Sequence, residues 1–360
     1  MLRLIRLALP LLLAALGTAR ADTIPFQQTN LASSVPGLAT FTDANLKNPW
    51  GVSQGTTPFW ISNQVTNTAT LHSGTGAQSA LVVSVPGGPT GQVFNPTNDF
   101  QLPVGGKSLF LFATLNGSIL GWNGAAGTTA LVEAIVPDGV LTGLALGNNG
   151  TGNFLYAADQ HSNRIDVFNS TFQSVTLAGG FADPTLPSGF LPYNIQNLNN
   201  TLYVTYENEA ASGGIVDAFD LNGNFLRRVT ANGAGGVLDS PWGLALAPAG
   251  FGSFGGALLV GNEGNGHIAA FNPSTGALLG TLNDVSNDPI TIPGMWGLIF
   301  GNGSNSTDPN TLYVAAGINN ETEGLFAAIR PISLAVPEPA TLAIVGLGLA
   351  LLGLLARKRK

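Results

Sequence analysis

The side chains best placed for chemistry in this chain are acidic. Asp159, Glu207 and Glu263 each follow a short apolar run, Leu155-Tyr156-Ala157-Ala158, Leu202-Tyr203-Val204-Thr205-Tyr206 and Leu258-Leu259-Val260-Gly261, and Asn63 and Asn262 stand at comparable points. Carboxylate and amide oxygens converging from several segments would suit a hard cation such as calcium, or the hydroxyls of a sugar. The competing reading is local: Asp and Asn are favoured in turns because they hydrogen-bond their own backbone. The spacing of an EF-hand loop is absent.

Other reactive groups are sparse. There is no cysteine, which excludes disulfides, thiolate metal sites and cysteine catalysis. The three histidines, His72, His161 and His267, show no metal-binding spacing and read as solvated turn residues. Neither a Gly-x-Ser-x-Gly elbow nor a phosphate-binding loop ending in Gly-Lys-Ser/Thr occurs. A serine triad assembles in space and is not readable from spacing alone.

The elements that would position the acidic residues recur. Asn48-Pro49-Trp50-Gly51-Val52 returns as Ser240-Pro241-Trp242-Gly243-Leu244, Gly294-Met295-Trp296-Gly297-Leu298 and Leu191-Pro192-Tyr193-Asn194-Ile195, with weaker copies near Asn95-Pro96-Thr97 and Leu141-Thr142-Gly143-Leu144. The steps are about 45 to 55 residues, the range of propeller blades. After each opening comes an apolar run expected to be buried on both faces, then an alternating run such as Ile165-Asp166-Val167 expected to have one wetter face. Turn signals such as Asn222-Gly223 and Ser274-Thr275-Gly276 end the units. Each unit has room for four strands, so the body, 22–333, is expected to be an all-β, six-bladed β-propeller. The stretch from Thr23 to Thr42 is expected to close the ring by pairing with the last blade, and Trp50, Trp242 and Trp296 to pack between blades.

The ends have their own patterns. Residues 1–21 carry Arg3 and Arg6, an apolar stretch, and a small-x-small site at Ala19 and Ala21, which reads as a cleaved signal peptide. At the other end, a linker at 334–340 contains Val336, Pro337, Glu338 and Pro339. The uncharged stretch 341–356 then reads as a transmembrane helix, and Arg357, Lys358, Arg359 and Lys360 as a basic cytoplasmic tail.

Val336-Pro337-Glu338-Pro339, an apolar helix and a basic cluster, in that order, resemble the PEP-CTERM sorting signal of Gram-negative bacteria. The resemblance implies export, anchoring in the inner membrane, processing by an exosortase, release to the cell surface or matrix, and an association with exopolysaccharide. The segment Ala158-Asp159-Gln160-His161-Ser162-Asn163-Arg164-Ile165-Asp166-Val167-Phe168 resembles the repeat of NHL and other six-bladed propellers. The whole chain resembles an uncharacterised propeller family with PEP-CTERM tails, which implies a fold and a context but no activity.

Charge narrows the partners. Seven of the 13 basic residues lie at the two ends, leaving six against 20 acidic ones elsewhere, so nucleic acid is a poor partner. Two functions remain. One is a surface binding or scaffold module for a glycan or a surface protein, with no cofactor. The other is a propeller-type hydrolase or lyase with a divalent cation, calcium for example, in the central channel, supported only by the acidic series.

Overall fold

The fold is described from a computed structural model covering residues 24–332 apart from 209 and 234. The signal peptide, the linker, the apolar tail stretch and the basic end therefore lie outside the described residues. Among the described residues no helix is long and apolar enough to cross a membrane.

Six antiparallel sheets are arranged about one axis, and a two-strand ribbon, Gln101–Leu102 with Gly106–Lys107, lies outside them. Blade 1 comprises Pro49–Ser53, Phe59–Asn63, Thr68–His72 and Gln78–Ser84, from axis to rim. The inner strands of blades 2 to 6 are Pro89–Phe94, Leu141–Asn148, Leu191–Leu198, Pro241–Leu246 and Met295–Phe300. Each inner strand packs against the next, and the sixth returns to the first. The inner strand of blade 2 starts before Asn95-Pro96-Thr97, so the repeat there opens at Pro89-Thr90-Gly91. A Thr in place of Trp hid it.

The N-terminal segment closes the ring. Phe26–Ser33 runs antiparallel to Leu325–Pro331, with Phe26 opposite Pro331 and Ser33 opposite Leu325, and forms the fourth strand of blade 6, with the short Phe41–Thr42 parallel to it at the edge. The sheet edge thus pairs within the chain instead of being left open. The seam with blade 1 is stitched by a buried pair, His72 Nε2 to Asp43 Oδ2 at 3.1 Å, while His72 Nδ1 lies 3.1 Å from the Gly76 carbonyl. His72 is therefore not a solvated turn residue as expected but fully buried, its partner 29 residues away and invisible to local pattern. His161 is exposed and His267 half-buried.

The wetter strand is also not the one expected. The third strands are nearly continuous core, as in Gly214–Phe219, while exposure concentrates on the fourth, as in Leu131–Ile135. In a radial stack the third strand still has neighbouring blades on both faces; only the rim strand meets solvent.

The axis has the tightest geometry. In all six blades the pairing of inner and second strand slips at the residue after the opening Pro, Leu or Met: Trp50, Thr90, Thr142, Tyr193, Trp242 and Trp296. A bulge re-aims a side chain, and four of these six are large aromatics. The next residue is Gly51, Gly91, Gly143, Asn194, Gly243 and Gly297 in turn. A Cβ on Gly243 would lie 2.5 Å from the Trp296 carbonyl oxygen, and one on Gly297 2.5 Å from that of Trp50. Asn194 holds the sixth position by donating from Nδ2 to the Trp242 carbonyl at 2.7 Å. Adding one methyl to a site walled by backbone costs about 1–3 kcal/mol. Gly297→Ala is therefore expected to lower the midpoint of thermal unfolding by several degrees in circular dichroism, and an unchanged midpoint would contradict the close-approach account.

Candidate functional site

One face of the disc carries the turns between second and third strands; call it the turn face. Asn63, Asp159, Glu207 and Asn262 each end a second strand, opposite Pro49, Leu141, Leu191 and Pro241. Asn63, Asp159 and Asn262 thus share one blade-equivalent position, which Tyr206, opposite Pro192, fills in blade 4. Glu207, opposite Leu191, and Glu263, whose amide donates to the Ser240 carbonyl, both stand one residue further on. Asn63, Asp159 and Asn262 serve their own blades, while Glu207 reaches across to blade 3. Asn63 Nδ2 donates to Thr70 Oγ1 at 3.0 Å. Asp159 Oδ1 accepts from the Val140 and Ser162 amides at 3.1 and 3.2 Å. Asn262 Oδ1 accepts from the Asp239 amide at 3.0 Å while its Nδ2 donates to the Val237 and His267 carbonyls. Glu207 accepts from Gln160 Nε2. Burial works to raise the Asp159 carboxyl, but the Ser162 and Val140 hydrogen bonds hold it below the usual carboxylate range. Asp159 caps its own turn through Ser162, as local chemistry favours, whereas Asn262 and Glu207 hold segments distant in sequence. Glu263 instead faces Glu321 across a cavity of ≈ 400 Å³, and burial, then Glu321 and Asp239, raise its carboxyl. Among the described residues no group of three or more His, Asp or Glu is placed to hold a metal ion.

The largest carboxyl shift lies away from the funnel. Asp217 and Asp183 share Arg228, whose Nε donates to Asp217 Oδ1 at 2.9 Å and whose Nη2 pairs with Asp183. Burial pushes the Asp217 carboxyl up to about 7, against the pull of Arg228 and with the neighbouring Asp183 adding to the rise. Asp217 is fully buried, so this cluster ties the segment holding Asp183 to blade 4 and does not face a substrate. A raised carboxyl holds its proton in the folded chain and loses it in the unfolded chain between about pH 4 and 7, so raising the pH through that window removes stability. Urea midpoints at pH 5 and pH 8 are expected to fall with pH in the parent and to fall less in Asp217→Asn; equal slopes would contradict the assignment.

The axis itself is blocked from within. Trp50 stacks on Trp296 with centroids 3.7 Å apart and planes 14° from parallel. Trp242 meets both edge-on at 6.0 and 5.9 Å, and Tyr193 completes the cluster. Trp242 Nε1 crosses the axis to donate to the Thr142 carbonyl at 3.1 Å, and Trp296 Nε1 donates to Asn48 Oδ1 at 2.9 Å. The tryptophans therefore pack on one another across the axis, not between blades as expected, because the bulge turns them inward.

Below this plug the channel widens into a funnel of ≈ 360 Å³ that opens on the opposite face. Its wall is the downstream half of the inner strands, from Gly51 to Gln54, Gly91 to Phe94, Leu144 to Leu146 and Asn194 to Asn197, with Trp242 at the floor. No lining residue is charged. Amides dominate its polar surface. Gln92 Nε2 donates to the Gly51 carbonyl at 2.8 Å and also to that of Trp60, and Asn197 Nδ2 donates to the Leu146 carbonyl at 2.9 Å. Their acceptor atoms, Gln92 Oε1 and Asn197 Oδ1, and the Ser53 hydroxyl are buried with no hydrogen-bond partner. Such groups are normally paired in folded proteins. Sequence reading passed over these residues, although amides recurring just after the opening motif, at Gln54, Gln92, Gln196 and Asn197, are the signal available.

Comparison with known proteins places the chain. It is 31% identical to the uncharacterized protein R648 of Acanthamoeba polyphaga mimivirus, over 83% of this chain and 78% of that protein. The chain belongs to the family of R648. A second mimivirus member, the uncharacterized protein L690, is 29% identical, covering 81% of this chain and 82% of its own length. Residues 335–360 match the PEP-CTERM protein-sorting motif, which implies export with processing by an exosortase. Among solved structures, a protein of unknown function from Bacteroides thetaiotaomicron superposes with a TM-score of 0.53 at 13% identity, covering 85% of this chain and 76% of that one. A PQQ-bound aldose sugar dehydrogenase from Streptomyces coelicolor gives 0.52 at 13% identity, covering 85% and 99%. At such identity these two likenesses speak to the propeller fold alone.

Proposed function

We propose that this family member is a surface binding module that takes a neutral, hydroxyl-bearing ligand, a cell-surface glycan, into the axial funnel. The observation that carries the reading is the funnel itself: a preformed concave site, uncharged and lined by amides and apolar side chains, at the centre of a rigid ring. The sorting motif supports a location where surface glycan is met, and the association of such motifs with exopolysaccharide is consistent with it. The alternative of a hydrolase or lyase working through a divalent cation in the channel finds less support, since the funnel offers no carboxylate and Asp159 and Glu207 lie on the other face, hydrogen-bonded to Ser162 and Gln160.

Isothermal titration of the full chain in a non-glycosidic detergent, against a panel of neutral oligosaccharides, tests the proposal. Saturable binding is expected, weakened about tenfold or more in Asn197→Ala, in line with about 1.4 kcal/mol per decade. Absence of binding across the panel, or binding untouched by the substitution, would defeat it.

A further inference from the structure

Resting on that reading, we propose that the funnel recognises the terminal unit of a neutral glycan chain, end-on, and excludes both chain interiors and acidic sugars.

The first observation is that the funnel is blind. A chain bound along its length must pass through a site or lie in an open groove. Here the stacked pair Trp50 and Trp296, at van der Waals separation, with Trp242 and Tyr193 edge-on around it, leaves no passage along the axis. The inner end is closed at the plug, where the inner strands approach so nearly that Gly243 and Gly297 have no room for a Cβ. What enters must come in by an end and stop at Trp242. At ≈ 360 Å³ the cavity is near the small limit for ligand sites, about 300–1,000 Å³, which suits a terminal unit and not a folded-back chain.

The second observation is the chemistry of the wall. The groups left without protein partners are two amide oxygens, Gln92 Oε1 and Asn197 Oδ1, and one hydroxyl, Ser53 Oγ. Amide oxygens only accept, so they call for a donor. A sugar hydroxyl donates; a uronate carboxylate or a sulfate ester only accepts. An anion entering would also lose its hydration without meeting a cation, since no basic residue lines the cavity. Gln92 is 5% exposed and Ser53 6%, so both are set into the wall and not scattered on a surface.

The experiment uses the full chain in the same detergent. An array of neutral and acidic oligosaccharides is screened first, and the tightest neutral binder is then compared as trimer, hexamer and polymer, and as a ring-closed chain without ends. The expected results are binding of neutral members only, one protein per chain whatever its length, and at least a tenfold loss for the ring-closed form. Gln92→Leu and, should that variant not fold, Asn197→Ala are expected to lose at least tenfold toward the same ligand. Stoichiometry rising with chain length, equal affinity for the ring-closed form, or preference for acidic members would overturn the end-on proposal while leaving a binding module in place. No binding by any member, or binding indifferent to both substitutions in folded protein, would overturn the funnel reading itself.

Discussion

Everything in this molecule follows from how little room six strands leave at a common axis. At one position in each inner strand a bulge turns a side chain inward, and at the next position the neighbouring backbone arrives within reach of any Cβ. The first demand is met by bulk in four blades and by Thr in two; the second by glycine in five and by Asn194 in one. Thr90 shows how the small variant fits: its hydroxyl donates to the Leu141 carbonyl at 2.6 Å, anchoring blade 2 to blade 3 without entering the axis. With three tryptophans and a tyrosine inward, the axis is filled on one side and open on the other. The asymmetry that makes a blind funnel is thus a by-product of the close packing that makes the ring.

The same constraint explains the low charge of the body. Inner, second and third strands all have protein on both faces, and an ion there needs a partner. Those on these strands include Asp166 with Arg164, Asp217 with Arg228 and Glu207 with Gln160, while Asp43 with His72 and Asp183 with Arg228 tie loops to the blades. Breaking such a pair leaves a buried charge, which is strongly destabilising. Charge is thus reserved for seams and rim, and the funnel is uncharged because it is built from inner strands.

The architecture was legible because it is repeated. Pro-Trp-Gly and the apolar run after it mark four blades, and turn residues mark the ends of each unit. Blade 2 was misplaced by a few residues because Thr90 carries the position without an aromatic ring. The acidic series was legible only in part as a register: Asp159 shares a position with Asn63 and Asn262, while Glu207 and Glu263 stand one residue further on. Its purpose was not, because a carboxylate that caps its own turn and one that binds a ligand look alike until hydrogen-bond partners are seen. The direction of the tryptophans was hidden for a similar reason, since a bulge is a slip between two strands and leaves no mark on either alone. The funnel amides were overlooked since Gln92 sits singly in its strand, and Gln196 and Asn197 fall beyond the motif that marked theirs.

The plug is the central claim, and one substitution tests it most directly. Trp50 touches Tyr193, Trp242 and Trp296 but makes no hydrogen bond through Nε1, so replacing it removes packing alone. Equilibrium urea unfolding of Trp50→Ala should show a loss of about 3–5 kcal/mol, the range for a large aromatic removed from a closed core. A loss below about 1 kcal/mol would mean that the aromatic cluster is not what closes the axis.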